Sequence, residues 1–185
     1  MKKTVLTLLT ASIFSLGSAA DTYKLDIKGA HSFIQFTASH LGFSKLLGRF
    51  NNFDGEFTYD PKNIGASTVN VTIDTQSIDS NHAERDKHLR SDDFLSAGKF
   101  PKATFKSTKV TDKGDGTFTI TGDFTLHGIT KSVSIDAKKI GEGKDPWGGY
   151  RAGFEGTTKI GMGDFGFKNA WGDVVVDLYV EGIKQ

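Results

Sequence analysis

Apolar and polar residues alternate along most of this chain, and no other feature restricts its possible folds as strongly. The clearest run covers residues 117–126, where Phe118, Ile120, Phe124 and Leu126 alternate with Thr and Asp residues. A period of two places successive side chains on opposite faces of a β-strand. Because about eight or nine such runs follow one another along the chain, the pattern predicts an all-β fold.

Turn-forming residues separate these runs. Asp115-Gly116 and His127-Gly128 lie where tight hairpins are expected, since Gly readily adopts the positive φ that such turns require. Short hairpins without intervening helices favour an antiparallel sandwich or barrel over a parallel sheet. Closing the sheet also removes its exposed edges. We therefore predict an antiparallel β-barrel of about eight strands, which is wide enough either to fill with side chains or to hold one small ligand.

The first twenty residues have the order of a secretory signal peptide. Lys2 and Lys3 precede an apolar stretch, and small residues follow up to Ala20. The stretch is shorter than the roughly 20 apolar residues that a membrane-spanning helix needs. We expect residues 1–20 to direct export and to be cleaved after Ala20, which leaves residues 21–185 as a single domain.

Charge and cysteine content exclude several classes of function. Without Lys2 and Lys3, the 23 basic and 22 acidic residues become 21 and 22, so the exported chain has no basic surplus for binding nucleic acid. The chain has no Cys, which excludes disulfides, thiolate catalysis and thiolate metal sites. Its 15 Phe residues indicate an apolar interior, and both an ordinary core and a lipid-lined cavity fit that composition.

One charged segment, residues 76–105, interrupts the alternation. Its first half is typical of a helix, with Asn81 as N-cap, Glu84 in a capping-box position and Asp86 four residues before Arg90. This helix lacks an apolar stripe, so we expect it to lie on a surface. The favoured interpretation is a polar segment that covers or borders one end of the barrel.

The histidines do not form a recognisable metal or catalytic motif. His82 and His88 are six residues apart and would point about 120° apart on a helix, whereas metal-binding pairs are usually four apart. His31 and His40 are nine apart in a strand-like segment and face opposite sides. No G-x-S-x-G is present, although a triad assembled only in space would leave no such signature. We predict a protein that is not an enzyme, with no catalytic residue, metal or cofactor.

Four sequence blocks, in this order, resemble the YceI-like family of periplasmic proteins, also catalogued as an uncharacterised protein family. The resemblance covers essentially all of residues 21–185. The blocks are HSFIQFTASHLGFSKLLGRFNNFDGEFTYD, SIDSNHAERDKHLRSDDFL followed by KFPKATF, GDFTLHGITKSV, and DPWGGYRAGFEG. The resemblance implies a periplasmic, lipocalin-like antiparallel barrel with an apolar cavity, in a family whose characterised members bind polyisoprenoids or other long-chain amphiphiles.

Together these observations predict a carrier that holds a lipid or isoprenoid in its barrel without catalysis. Apart from the ligand, we expect the protein to contact a membrane or a membrane protein transiently. We expect it to act as a monomer or a homodimer. Alternation assigns the cavity wall to Ile34, Phe36, Phe57, Val71, Ile73, Phe105, Phe118 and Phe124, and the ligand head group to His40, Arg49 and Arg151. Two alternatives stay open: a metal-dependent hydrolase using residues 79–93, and a structural or stress-related interaction protein with a filled barrel.

Overall fold

The computed structural model describes residues 20–167 and 172–185. These residues form eleven β-strands and one α-helix. The elements are β1 (Asp21–Leu25), β2 (Phe33–His40), β3 (Ser44–Phe50), β4 (Phe53–Tyr59), β5 (Thr68–Asp74), β6 (Ile78–Asp79), α1 (Ala83–Arg90), β7 (Lys102–Gly114), β8 (Thr117–Leu126), β9 (Ile129–Lys144), β10 (Tyr150–Gly161) and β11 (Asp173–Lys184). Within this described part, no helix is both long and apolar enough to cross a membrane. The expected signal peptide falls on residues 1–20, all but the last of which lie outside the described residues.

Eight strands close into an antiparallel barrel. Their spatial order is β1, β4, β5, β7, β8, β9, β10 and β11, and β11 returns to β1 through pairs such as Lys184 with Tyr23. The β2–β3 hairpin continues the wall, because β2 pairs with the first half of β11 while β1 pairs with its last residues. The predicted lipocalin-like architecture, an antiparallel barrel of about eight strands with one short helix, is confirmed.

Both predicted tight turns are present. Asp115 and Gly116 have φ values of 53° and 73°, and His127 and Gly128 have 53° and 75°. Two consecutive positive φ values match the right-handed twist of the flanking strands. The turns fix the registers of the β7–β8 and β8–β9 hairpins, in which Gly114 pairs with Thr117 and Leu126 with Ile129.

The core divides into two clusters along the barrel. One contains Ile34, Phe36, Ile73, Ile78, Leu95, Ala97, Ala103, Leu126, Ile160, Phe165 and Phe167. The other contains Tyr23, Leu25, Phe57, Tyr59, Phe105, Val110, Phe118, Ile135, Ala137 and Ala152. Leu95 and Ala97 belong to the charged segment, and their burial in the first cluster agrees with the interpretation that this segment covers one end of the barrel. We call this end the covered end.

The helix start differs in detail from the expectation. His82, not Asn81, is the N-cap: its backbone is extended and its Nδ1 accepts the backbone N–H of Arg85 at 3.2 Å. Asn81 instead has a φ of 62°, a left-handed conformation that Asn tolerates better than most residues. An N-cap residue typically has extended backbone angles, as His82 does. Asp86 turns inward and accepts from the backbone N–H of Ser80 at 2.8 Å, so the expected pair with Arg90 does not form.

Candidate ligand-binding cavity

A partly open space of about 190 Å³ lies inside the barrel, and residues of both core clusters line it. A single water needs about 10–15 Å³ of such space, so the barrel is not filled by its own side chains. The strands place apolar side chains on the wall because every second residue points inward. Beyond the wall residues expected from the sequence, the lining includes Phe50, Phe53, Val133, Ile135, Ile160, Val176, Leu178 and Val180.

Seven of the eight expected wall residues line this space. They are Ile34, Phe57, Val71, Ile73, Phe105, Phe118 and Phe124. Phe36 is buried but packs elsewhere, with its ring against Gly48 and 5.9 Å from the ring of Phe50. Ile34 and Phe36 are both buried on the inward face of β2, but of these two residues Ile34 lines the cavity and Phe36 does not. Contact of these residues with a ligand stays a prediction.

Two strand glycines do not enlarge the cavity. A Cβ on Gly122 would stand 2.5 Å from the Phe105 ring and 2.6 Å from the Lys106 carbonyl oxygen. A Cβ on Gly55 would stand 2.4 Å from the Asn70 carbonyl oxygen. Both positions are small because neighbouring groups already occupy the space. Glycine at 122 therefore leaves room for the Phe105 ring to pack against β8.

Ser67 and Thr158 place aliphatic hydroxyls on the inward face of the otherwise apolar wall. Thr158 Oγ1 donates to the Ser134 carbonyl oxygen at 2.8 Å. Ser67 Oγ is buried and has no hydrogen-bond partner in the part of the chain that the structure describes. The sequence interpretation missed Ser67, although extending the alternation of β5 by one step would have found it, since Val71 and Ile73 on the same face are predicted wall residues.

The three residues expected to contact a ligand head group do not form one mouth. His40 is exposed where β2 ends, and Arg49 points outward beside inward-facing Phe50, 3.3 Å from Asp79. Strand β2 pairs with the start of β11, whereas Arg151 pairs with Ile183 near its end. The physical reason is that sequence alternation assigns a face but not a position along the barrel axis. A head-group role for any one of them stays a prediction.

Arg151 lies at the centre of an ionic cluster. Its Nη1 donates to Asp26 Oδ2 at 2.6 Å and to Glu181 Oε1, and its Nε donates to Asp145 Oδ2 at 2.8 Å. The indole ring of Trp147 lies over the guanidinium at 5.4 Å. The cluster ties the β9–β10 loop to the ends of β1 and β11. Sequence spacing alone does not predict it, because Asp26 and Arg151 are 125 residues apart.

The same cluster contains the metal-donor group found among the described residues. Oxygen or nitrogen atoms of Asp26, His31 and Glu181 lie within 4.8 Å of one another. The guanidinium of Arg151 already binds both carboxylates, however, so positive charge occupies the place that a cation would take. In residues 79–93, His82 caps the helix, while His88 Nε2 lies 3.4 Å from Asp93 Oδ2 with both side chains exposed. The structure does not bring the imidazoles of His82 and His88 into one site.

The hydrogen bond from Arg151 is the main reason that the pKa of Asp26 falls from 3.8 to about 2. The backbone N–H of Gly29 adds to the effect at 2.8 Å, and burial opposes it. The carboxylates in turn raise the pKa of Arg151, and Arg151 lowers the pKa of Asp145. All of these pKa shifts favour the charged forms of the side chains, and therefore the ion pairs of Arg151 with its carboxylate partners.

This shift predicts a loss of stability in acid. Below about pH 4 the unfolded chain protonates Asp26, whereas the folded chain does not protonate it until about pH 2. The stabilisation from Asp26, on the order of 2 kcal/mol, is therefore complete above about pH 5 and is lost as the pH falls towards 2. In urea unfolding measured from neutral to acid pH, the free energy of unfolding should fall more steeply for the wild type than for Asp26→Asn. Parallel curves would contradict the assignment.

Known proteins resemble this chain in both sequence and structure. The sequence profile of the YceI-like domain matches residues 23–181. A UPF0312 protein of Vibrio cholerae is 54% identical over 189 residues, and the match covers 100% of each chain.

Solved structures share the fold. The YceI protein of Campylobacter jejuni superposes with a TM-score of 0.72 at 28% identity, over 80% of this chain and 90% of that one. A polyisoprenoid binding domain from Saccharophagus degradans superposes with a TM-score of 0.64 over 91% of this chain and 100% of that domain. At 16% identity, this second likeness supports the fold alone.

Proposed function

The chain belongs to the YceI-like domain family, and we propose that it is a periplasmic carrier that holds a polyisoprenoid or similar long-chain amphiphile in its barrel. The observation that carries the proposal is the apolar space of about 190 Å³ inside the barrel. A cavity left in a protein interior lowers stability, since the groups around it lose contacts. An apolar occupant restores those contacts.

The shape and chemistry of the wall support a hydrocarbon ligand. Phenyl rings and branched aliphatic side chains line the space, and a charged group would enter it only at a high desolvation cost. Each buried methylene contributes about 0.8 kcal/mol, so even a short chain gains useful affinity. The name of the Saccharophagus degradans domain, which binds polyisoprenoid, supports the choice of ligand class.

The two alternative functions have less support. An interaction protein with a filled barrel is disfavoured by the space itself. A metal-dependent hydrolase in residues 79–93 lacks a geometric basis, because His82 and His88 have separate contacts. The proposed role is therefore binding and transfer without a chemical step, in the compartment to which residues 1–20 would export the chain.

Lipid extraction from the native protein tests the proposal. The full-length chain would be expressed in a Gram-negative host, purified from the periplasm under mild conditions, and extracted with organic solvent for mass spectrometry. We expect an isoprenoid or other long-chain lipid in near-stoichiometric amount. We also expect the protein itself to have the mass of a chain that begins at Asp21. A periplasmic protein without a cavity, purified in parallel, measures carry-over. Repeated absence of lipid above that control would reject the carrier function.

A further inference from the structure

We propose that Ser67 is the polar anchor of the cavity, and that the ligand is a neutral amphiphile whose hydroxyl or carbonyl group binds there. This inference rests on the proposed carrier function and specifies its ligand class. It depends on the position of Ser67, on its unpaired hydroxyl and on the charges of the neighbouring groups.

Local structure directs Ser67 inward. A short 3₁₀ turn, Ile64–Ala66, precedes it, and its backbone N–H donates to the Ile64 carbonyl oxygen at 3.0 Å. The next residue, Thr68, faces outward, where its Oγ1 lies 2.9 Å from Thr58 Oγ1. Because side chains alternate along β5, Ser67 shares the inward face with Val69, and both residues line the cavity.

The unpaired hydroxyl indicates a missing partner. Ser67 Oγ is shielded from solvent, yet no described residue offers it a hydrogen bond. Burying a hydroxyl without a partner is unfavourable, and most buried polar side chains in proteins are paired. The Thr158 hydroxyl on the same wall, by contrast, donates to a backbone carbonyl. A ligand with a polar atom beside Ser67 would remove this cost, whereas a pure hydrocarbon would leave it.

The surrounding charges favour a neutral polar group. Glu56, Tyr59 and Glu155 also line the cavity, and the ammonium of Lys139 lies 5.8 Å from the ring centroid of Tyr59. Lys139 is already paired with Glu142 at 3.1 Å, which raises the pKa of the lysine. One serine hydroxyl does not compensate for the desolvation of a carboxylate or phosphate. An alcohol or carbonyl, by contrast, needs a single hydrogen bond.

The anchor also sets the ligand's direction. Ser67 lies beside Ile64 and Val69, which pack on the cluster away from the covered end. The hydrocarbon tail would then extend towards Val133, Ile160 and Val176, which belong to or pack on the cluster at the covered end. The polar group is thus bound at the end of the barrel that residues 76–105 do not cover.

A matched pair of probes tests the anchor. Delipidated protein would be titrated with 1-decanol and with decane, in competition with a neutral fluorescent hydrophobic probe. We expect Ser67→Ala to weaken 1-decanol binding by about three- to tenfold and to leave decane binding unchanged. Ser67→Thr should restore the preference for the alcohol. Thr125→Ala removes a hydroxyl that faces outward and is paired with Thr130, and it serves as the control.

The outcomes separate the anchor from the carrier function. If wild type and Ser67→Ala bind both probes equally well, the anchor is wrong and the carrier function stands. If the wild type binds neither probe, the carrier function fails and the anchor fails with it. If Ser67→Ala bound neither probe and Ser67→Thr did not restore binding, the proposed role of Ser67 would also be wrong, because the substitution would then act through packing.

Discussion

Replacing Arg151 with Met is expected to lower the free energy of unfolding by about 2–4 kcal/mol, because three carboxylates would lose the cation that they share. Asp26 is the most affected, since its side chain is only 5% exposed and cannot recover hydration without local opening. Met retains most of the aliphatic volume, so the loss would report the guanidinium rather than a cavity. Urea unfolding at neutral pH gives the measurement.

Arg49→Met is the matched control for this prediction. Arg49 also pairs with an aspartate, Asp79 at 3.3 Å, but its side chain is 51% exposed. Exposed ion pairs contribute little because water and salt screen them. The loss in free energy of unfolding should therefore be several times larger for Arg151→Met than for Arg49→Met. Equal small losses would show that the cluster around Arg151 does not stabilise the barrel.

The architecture was predictable because it depends on local patterns. A strand with one buried face requires period-two alternation of apolar and polar residues. A tight hairpin turn requires positive φ, which Gly readily adopts. Each of these signals lies within a few neighbouring residues. Position along the barrel is different, since it depends on how β2 and β11 are aligned, and this is why Phe36 was assigned to the wall but packs beyond it.

The ionic cluster could not be predicted for a similar reason. Alternation predicts a head-group role for Arg151, yet two of its three carboxylate partners, Asp26 and Glu181, come from opposite ends of the described chain. The helix cap illustrates a second limit. Asn favours both the N-cap and the left-handed conformation, so the sequence around Asn81 is compatible with two adjacent starts of α1. The backbone selects the later one, and His82 becomes the cap.

Replacing Val176 with Phe is expected to reduce ligand binding by more than about tenfold while the protein stays folded. Val176 lines the cavity, so an aromatic ring in its place would occupy space that the ligand otherwise fills. Displacing only two methylene groups of a ligand removes about 1.6 kcal/mol of transfer free energy, which already exceeds a tenfold change in affinity. The ring would bury apolar area in an existing space, and so the usual overpacking cost would be small.

Val175→Phe is the control for this substitution, since Val175 is the neighbouring residue on the same strand and pairs with Thr37 on the outer face. The two variants have the same composition and differ only in the side of the barrel on which the ring lies. Lipid extracted from the native protein and affinity for 1-decanol should both fall in Val176→Phe and remain at the wild-type level in Val175→Phe. If Val176→Phe kept the wild-type amount of bound lipid and the wild-type affinity for 1-decanol, the ligand would bind outside the barrel and the cavity would not be its site. If both variants lost binding, the outer face of β11 would belong to the ligand site as well.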